Sequence, residues 1–310
     1  MRIVISEFMD ERAVALLAAK HEVLYDAALQ KDAARLTVEA ANCDAMIVRN
    51  LTQVRGDLLA ALVSSKRCKV VGRLGVGLDN IDVPGCEAQG MQVIPATGAN
   101  ALSVAEYVIA SAMLLLRGAY SATAEVAAGK WPRARLSNGR ETAGQTLGII
   151  GFGGIGQLTA RLAQGLGMKV QAFDAMLPSD HAVFAKTGVR ATTLDALIAS
   201  SDVVTLHVPL VDGTRGLFNA TRIAAMKKGA VLINTSRGHI VDMEAMAASL
   251  KVGHLGGAAV DVFDVEPMPA SAALEGCPNL LLTPHISGVS FESNERVSFM
   301  IADKVLEVLA

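Results

Sequence analysis

The sequence predicts an α/β protein built of two doubly wound parallel-sheet domains. Short apolar runs alternate with helical patterns along nearly the whole chain, and strict alternation implies parallel strands covered on both faces. The alternation halts at a long helical stretch after residue 100 and then restarts. At 310 residues the chain is long for one domain and comfortable for two.

Taken in order, RIVIS (2–6), EVLY (22–25), AMIV (45–48), KVVG (69–72) and MQVI (91–94) read as strands. Between them, DERAVALLAAK and GDLLAALVSS carry apolar residues at three- and four-residue spacing, the helical period. A long helix is predicted from about Ala101 to Ala128, with Ser103 placed early and Gly129 just past its end. A second set of strands follows in TLGII, KVQAF, DVVTLHV, AVLINTS and GAAVDVF, and NLLLT extends it. The segment from Phe291 to Ala310 is helical by the spacing of Val297, Met300, Ile301, Val305 and Leu309, and is free to return to the first domain. The predicted domains are therefore 1–98 with 287–310, and 99–286, with a cleft between them.

Composition excludes several classes. Hydrophobic residues make up 52% and charged residues 19%, which argues against disorder. A net charge of −2 gives no basic excess to attract nucleic acid or acidic lipid. The four cysteines, Cys43, Cys68, Cys86 and Cys277, are far apart and form no C-x-x-C pair, so neither a metal site nor a disulfide framework is expected. The N-terminus reaches acids too soon for a signal peptide, and YVIASAMLLL is too short to span a bilayer. The expectation is a soluble cytoplasmic protein with reduced thiols.

Gly151, Gly153 and Gly156 in GFGGIG fit G-x-G-x-x-G, with Gly154 and Ile155 between them. The first glycine permits a tight turn, the second lets backbone approach a pyrophosphate, and the third lets helix and strand pack closely. The pattern sits between a predicted strand and a predicted helix, and Asp174 ends the next strand 18 residues after Gly156. A carboxylate there accepts from adenosine ribose hydroxyls and repels the 2′-phosphate of NADP, so this is read as a Rossmann domain for NAD.

Arg237, Glu266 and His285 each follow a predicted strand, in INTSRGHIVD, AAVDVFDVEP and LLLTPHISG. Ligands of open α/β sheets gather at the carboxyl ends of strands, where these three could meet. Moving a hydride from an alcohol carbon to nicotinamide needs a base for the hydroxyl proton, and an anionic substrate needs a cation to hold it. Imidazole titrates in the useful range, a guanidinium fork holds a carboxylate, and a glutamate fixes the far imidazole nitrogen. His239, two residues after Arg237, is a weaker candidate for the base.

The ordered set VRNLTQV, GRLGVGLDNIDV, GANALSVAEYVIA, GKWPRAR, GFGGIG, HVPLVDGTRGLF, INTSRGHIVD, DVFDVEP and TPHISG resembles the D-isomer-specific 2-hydroxyacid dehydrogenase family over nearly the whole chain, and its phosphoglycerate dehydrogenase branch most closely. The resemblance implies a Rossmann NAD domain plus a flavodoxin-like substrate domain. It implies the base role for His285, with Arg237 and Glu266 as described. It further implies that His207 and Pro209 border the cofactor ribose, that Thr235 and Asp261 contact the nicotinamide end, and that Ser103 lies nearby. The long helix and the GKWPRAR arm are what the family uses to form homodimers.

For the substrate, the resemblance implies a grip on the carboxylate through the backbone of Val76 and Gly77, with Arg49 and Arg133 as further cations. Departures from the phosphoglycerate branch are Gln53 where a lysine usually stands, Gly154 where arginine is common, and a chain that stops at Ala310 without a regulatory extension. A smaller, singly charged end group fits better, and the chain, including ISEFMDE, is similar to (S)-sulfolactate dehydrogenases. The leading expectation is oxidation of (S)-sulfolactate to 3-sulfopyruvate. D-3-phosphoglycerate and acids of the glyoxylate/hydroxypyruvate reductase type stay open, as does an NAD-sensing module like the family's corepressors.

Overall fold

The protein is described here by a computed structural model covering residues 1–310, the side chain of Ser121 excepted. The chain divides into two compact units, Met1–Asn100 with Val289–Ala310, and Ala101–Gly288.

The first unit is a five-stranded parallel sheet of β1 (Arg2–Ile5), β2 (Glu22–Tyr25), β3 (Ala45–Val48), β4 (Val70–Arg73) and β5 (Gln92–Pro95), in the order β2-β1-β3-β4-β5. The central strands are apolar on both faces because both are covered. One face packs under the final helix, Phe291–Leu309, whose Ile301, Ala302 and Val305 have no exposed surface. That helix sits so close to β4 that a Cβ on Gly72 would lie 2.7 Å from Ile301 Cγ2. Its entry is fixed by a capping box in which Ser290 and Ser293 satisfy each other's backbone.

The second unit is a seven-stranded parallel sheet of β6 (Thr146–Ile150), β7 (Lys169–Phe173), β8 (Arg190–Ala191), β9 (Val203–Leu206), β10 (Ala230–Asn234), β11 (Leu255–Val260) and β12 (Leu280–Leu282). Its order is β12-β11-β10-β9-β6-β7-β8, with apolar cores on both faces. Asp202 locks the amino ends of β6 and β9. It accepts from Thr146 N at 2.9 Å, Arg140 Nη2 at 2.6 Å and Lys227 Nζ at 2.6 Å.

Two elements differ from the sequence expectation. The helix predicted over 101–128 ends at Arg117, because Gly118 takes φ +63°, and a 3-10 turn and a short helix, Thr123–Ala127, follow. The two-residue strand β8 has too little period to announce itself. Among the described residues no helix is long and apolar enough to cross a membrane.

Each sheet reverses its winding once, between β1 and β3 in the first unit and between β6 and β9 in the second. Ligands of such sheets sit at the carboxyl ends of the strands flanking that reversal.

Candidate active site

At the carboxyl end of β6, Gly151 takes φ +93°, and a Cβ there would lie 2.2 Å from the carbonyl oxygen of His207. Only glycine lets the loops after β6 and β9 approach this closely. A Cβ on Gly156 would lie 2.3 Å from Gly151 O, so the helix Gly154–Gly165 starts directly over the strand end. Gly153 and Gly154 are exposed and face open space, leaving the helix N-terminus accessible to an anion. Ile155 is half-buried between them and Gly156. Asp174, after β7, accepts from Phe152 N at 2.7 Å and Met176 N at 2.8 Å, which fixes its carboxylate beside the glycine turn.

His207 follows β9, with Nε2 3.2 Å from Thr205 Oγ1, and desolvation pushes its imidazole down to about 4. It is therefore neutral near neutral pH. Pro209 is exposed, and its carbonyl accepts from Thr214 Oγ1 at 2.6 Å. Thr235, after β10, has a buried hydroxyl oxygen with no hydrogen-bond partner among the described residues. An orphaned buried hydroxyl at the carboxyl end of β10 fits a polar ligand, and with the open glycine turn after β6 these residues fit a dinucleotide. Ser103 is half-buried in the first turn of the helix Ala101–Arg117.

Arg237 projects from a turn held by its neighbours. Asn234 Nδ2 donates to Arg237 O at 2.8 Å, and Asn234 Oδ1 accepts from Ser236 N at 3.0 Å. Ser236 Oγ donates to Leu206 O at 2.6 Å and accepts from Val208 N at 3.2 Å, tying this turn to the one after β9. The guanidinium donates to Ser236 O at 2.6 Å. A Cβ on Gly238 would lie 2.3 Å from the Phe263 carbonyl, so the Arg237 turn and the segment leading to Glu266 meet backbone to backbone.

Glu266 Oε1 accepts from Phe263 N at 3.0 Å, and Oε2 lies 2.7 Å from His285 Nδ1. The bond assigns the proton to Nδ1 and leaves Nε2 as the basic nitrogen. His285 takes φ +55°, a conformation held by a buried carboxylate. Asp261 accepts from Thr283 Oγ1 at 2.5 Å, Ile286 N at 2.8 Å and Ser287 N at 2.7 Å, while His285 N donates to Asp261 O at 2.8 Å. Tyr107 OH, 2.7 Å from Thr283 Oγ1, extends the network. With no exposed surface, Asp261 shapes the His285 turn. Asn234, Ser236, Thr283 and Tyr107 were not singled out from sequence. Their only local signal is polarity at or just past a strand end, or within an apolar helix.

His239 makes a second imidazole–carboxylate pair, Nδ1 3.3 Å from Asp264 Oδ2. That contact is longer than the 2.7 Å of His285 with Glu266.

In the first unit, Arg49 follows β3 and its guanidinium donates to Asn294 Oδ1 at 2.8 Å, 5.8 Å from the Phe8 ring centroid. Burial lowers the Arg49 pKa from its ordinary value, and the Glu7 carboxylate opposes that. Val76 is exposed and Gly77 half-buried in the loop after β4. Arg133 stands exposed at the start of the short helix Arg133–Leu136 in the second unit.

Residues 109–287 match the family model for the D-isomer specific 2-hydroxyacid dehydrogenase NAD binding domain. An (S)-sulfolactate dehydrogenase of Chromohalobacter salexigens is 51% identical over 99% of this chain and 98% of its own length. A D-3-phosphoglycerate dehydrogenase of Bacillus subtilis is 39% identical over 90% of this chain, which spans only 52% of that longer protein. Among solved structures, an NAD-dependent formate dehydrogenase from Staphylococcus aureus in complex with NAD aligns with a TM-score of 0.81 and 27% identity, over 100% of this chain and 96% of that one.

Proposed function

The chain belongs to the D-isomer specific 2-hydroxyacid dehydrogenases, NAD-dependent oxidoreductases, and on that premise we propose that it interconverts (S)-sulfolactate and 3-sulfopyruvate. The observation that supports the chemistry is the 2.7 Å bond between Glu266 and His285 Nδ1, within one unit that also carries Arg237 and the glycine turn. Support for the substrate is the likeness to the Chromohalobacter salexigens enzyme over almost its full length.

Bound NAD supplies the acceptor for the C2 hydride. The C2 hydroxyl proton passes to His285 Nε2, and Glu266 stabilises the imidazolium that results. Arg237 holds the carboxylate and the C2 oxygen as that oxygen becomes a carbonyl. Asp174 would accept from the ribose hydroxyls, the N-terminus of the helix at Gly154 would hold the pyrophosphate, and Thr235, Asp261, neutral His207, Pro209 and Ser103 would line the rest. We assign NAD to 99–286 and substrate recognition to 1–98 with 287–310, where Arg49 and the backbone of Val76 and Gly77 receive the acid. Arg133 is assigned to the same acid. The enzyme is proposed to work as a cytoplasmic homodimer.

The test is a steady-state comparison of (S)-sulfolactate, D-3-phosphoglycerate, D-lactate and D-glycerate with NAD, followed by NADH absorbance. The highest kcat/KM is expected with (S)-sulfolactate. A higher value with any other acid removes the sulfolactate assignment.

A further inference from the structure

Arg237 and Glu266 stand on different turns, after β10 and after β11. Each has a polar neighbour two positions away, His239 beyond Arg237 and Asp264 before Glu266. These two neighbours meet. Asp264 Oδ1 accepts from the backbone N–H of His239, and Oδ2 lies 3.3 Å from His239 Nδ1. One carboxylate thus holds both the main chain and the ring of the same residue.

Both ends of that contact are anchored. His239 takes φ +20°, and its carbonyl accepts from Gly216 N at 2.7 Å. Phe263 N donates to Glu266 Oε1 at 3.0 Å, so the segment that carries Asp264 also orients the carboxylate bound to His285. Stability does not account for the pair. The His239 and Asp264 side chains are 42% and 48% exposed, and ion pairs so open to water add little to a fold. What the pair does control is alignment. Gly238 lets the two turns touch, and the Asp264 carboxylate decides how one sits against the other.

We infer that Asp264 and His239 form a clasp that fixes the spacing between Arg237, which holds the substrate, and Glu266, which holds the base. Both are positioning residues, each acting through the catalytic group two positions along the chain. Asp264 is the stronger half, because its carboxylate takes two donors while the ring supplies only one of them. The clasp matters for rate because hydride and proton leave the same substrate, and Arg237 and His285 must both meet it in register.

The inference rests on the dehydrogenase reading above, and its test separates the two. Kinetics of the full-length protein are measured with NAD and whichever acid of the panel gives the unsubstituted protein its highest kcat/KM. Asp264→Ala loses both arms of the clasp and is expected to lower kcat about tenfold, short of the roughly hundredfold of a 1 Å misplacement. His239→Ala keeps the backbone arm and should lose about threefold, the worth of one modest hydrogen bond. Asp264→Asn, whose amide oxygen still accepts from the His239 N–H, should recover most of the kcat. Combining Asp264→Ala with His239→Ala should do no more harm than Asp264→Ala alone, since the pair acts as one unit. NADH affinity should stay within about twofold throughout, because the loss falls on chemistry and not on cofactor binding. The melting temperature should stay within about 4 °C, as an exposed pair allows. An unchanged kcat in Asp264→Ala, additive losses in the double variant, or NADH affinity falling in step with kcat overturns the inference while the enzyme reading stands. So does a larger loss in His239→Ala than in Asp264→Ala, which would give the imidazole itself a part in the chemistry. A protein inert toward every acid with NAD overturns the enzyme reading and the inference with it.

Discussion

His285 is held on three sides: Nδ1 by Glu266, its N–H by the Asp261 carbonyl, and the following turn by the Asp261 carboxylate. Such over-determination keeps a non-glycine residue at φ +55°, a conformation that costs its backbone energy. Removing the imidazole leaves the glycine turn and Asp174 untouched. His285→Ala is therefore expected to lower kcat by about 10²–10⁴-fold, with NADH affinity by fluorescence titration nearly unchanged. His239, whose acid partner stands 3.3 Å away, serves as the control. A comparable fall in kcat for His239→Ala, with His285→Ala close to normal, would reverse the assignment of the base.

At the scale of elements, the Arg237 turn and the Phe263–Glu266 segment are joined by glycine. With backbone atoms of Phe263 and Asp264 at 2.3–2.6 Å from where a Cβ would stand, Gly238→Ala has no flexible side chain to push aside. One turn must move, and Arg237 sits on one while Glu266 sits on the other. The variant is expected to lose about a hundredfold in kcat/KM, as a misplacement of about 1 Å can cost, and to keep NADH binding. Full activity would show that the two turns carry no geometry the reaction needs. The sequence displayed much of this framework. Long-range parallel pairing leaves the central strands apolar on both faces, so they stand out, and so does the glycine turn opening a helix. What stayed hidden depends on contacts far apart in the chain. Glu7 reads as one more acid in ISEFMDE, and its burial follows only once β1 lies beside β3 and brings residues 49–52 to it. Asp261 reads as a free carboxylate until β12 lies beside β11 and delivers residues 283–287. The break at Gly118 was masked by alanines that keep the helical period running on through Ala128.

Across the whole molecule the two units differ in how the chain builds them. The Ala101–Gly288 unit is one continuous stretch with its own cores, whereas the first unit needs both ends of the chain, Met1–Asn100 and Val289–Ala310. Its core is completed by the last helix, where Ile301 lies fully buried against Gly72 of β4. An unpaired carboxylate at that position costs several kcal/mol, comparable with the entire stability of a small domain. Ile301→Asp is expected to expose residues 1–100 to limited proteolysis and to abolish turnover of (S)-sulfolactate. NADH should still bind, because the glycine turn, Asp174 and Thr235 all lie in the other unit, and at 100 times Kd it should still stabilise that unit by about 2.7 kcal/mol. Loss of NADH binding together with turnover would mean that the two units fold as one cooperative body, with the Rossmann half depending on the last helix for its own stability.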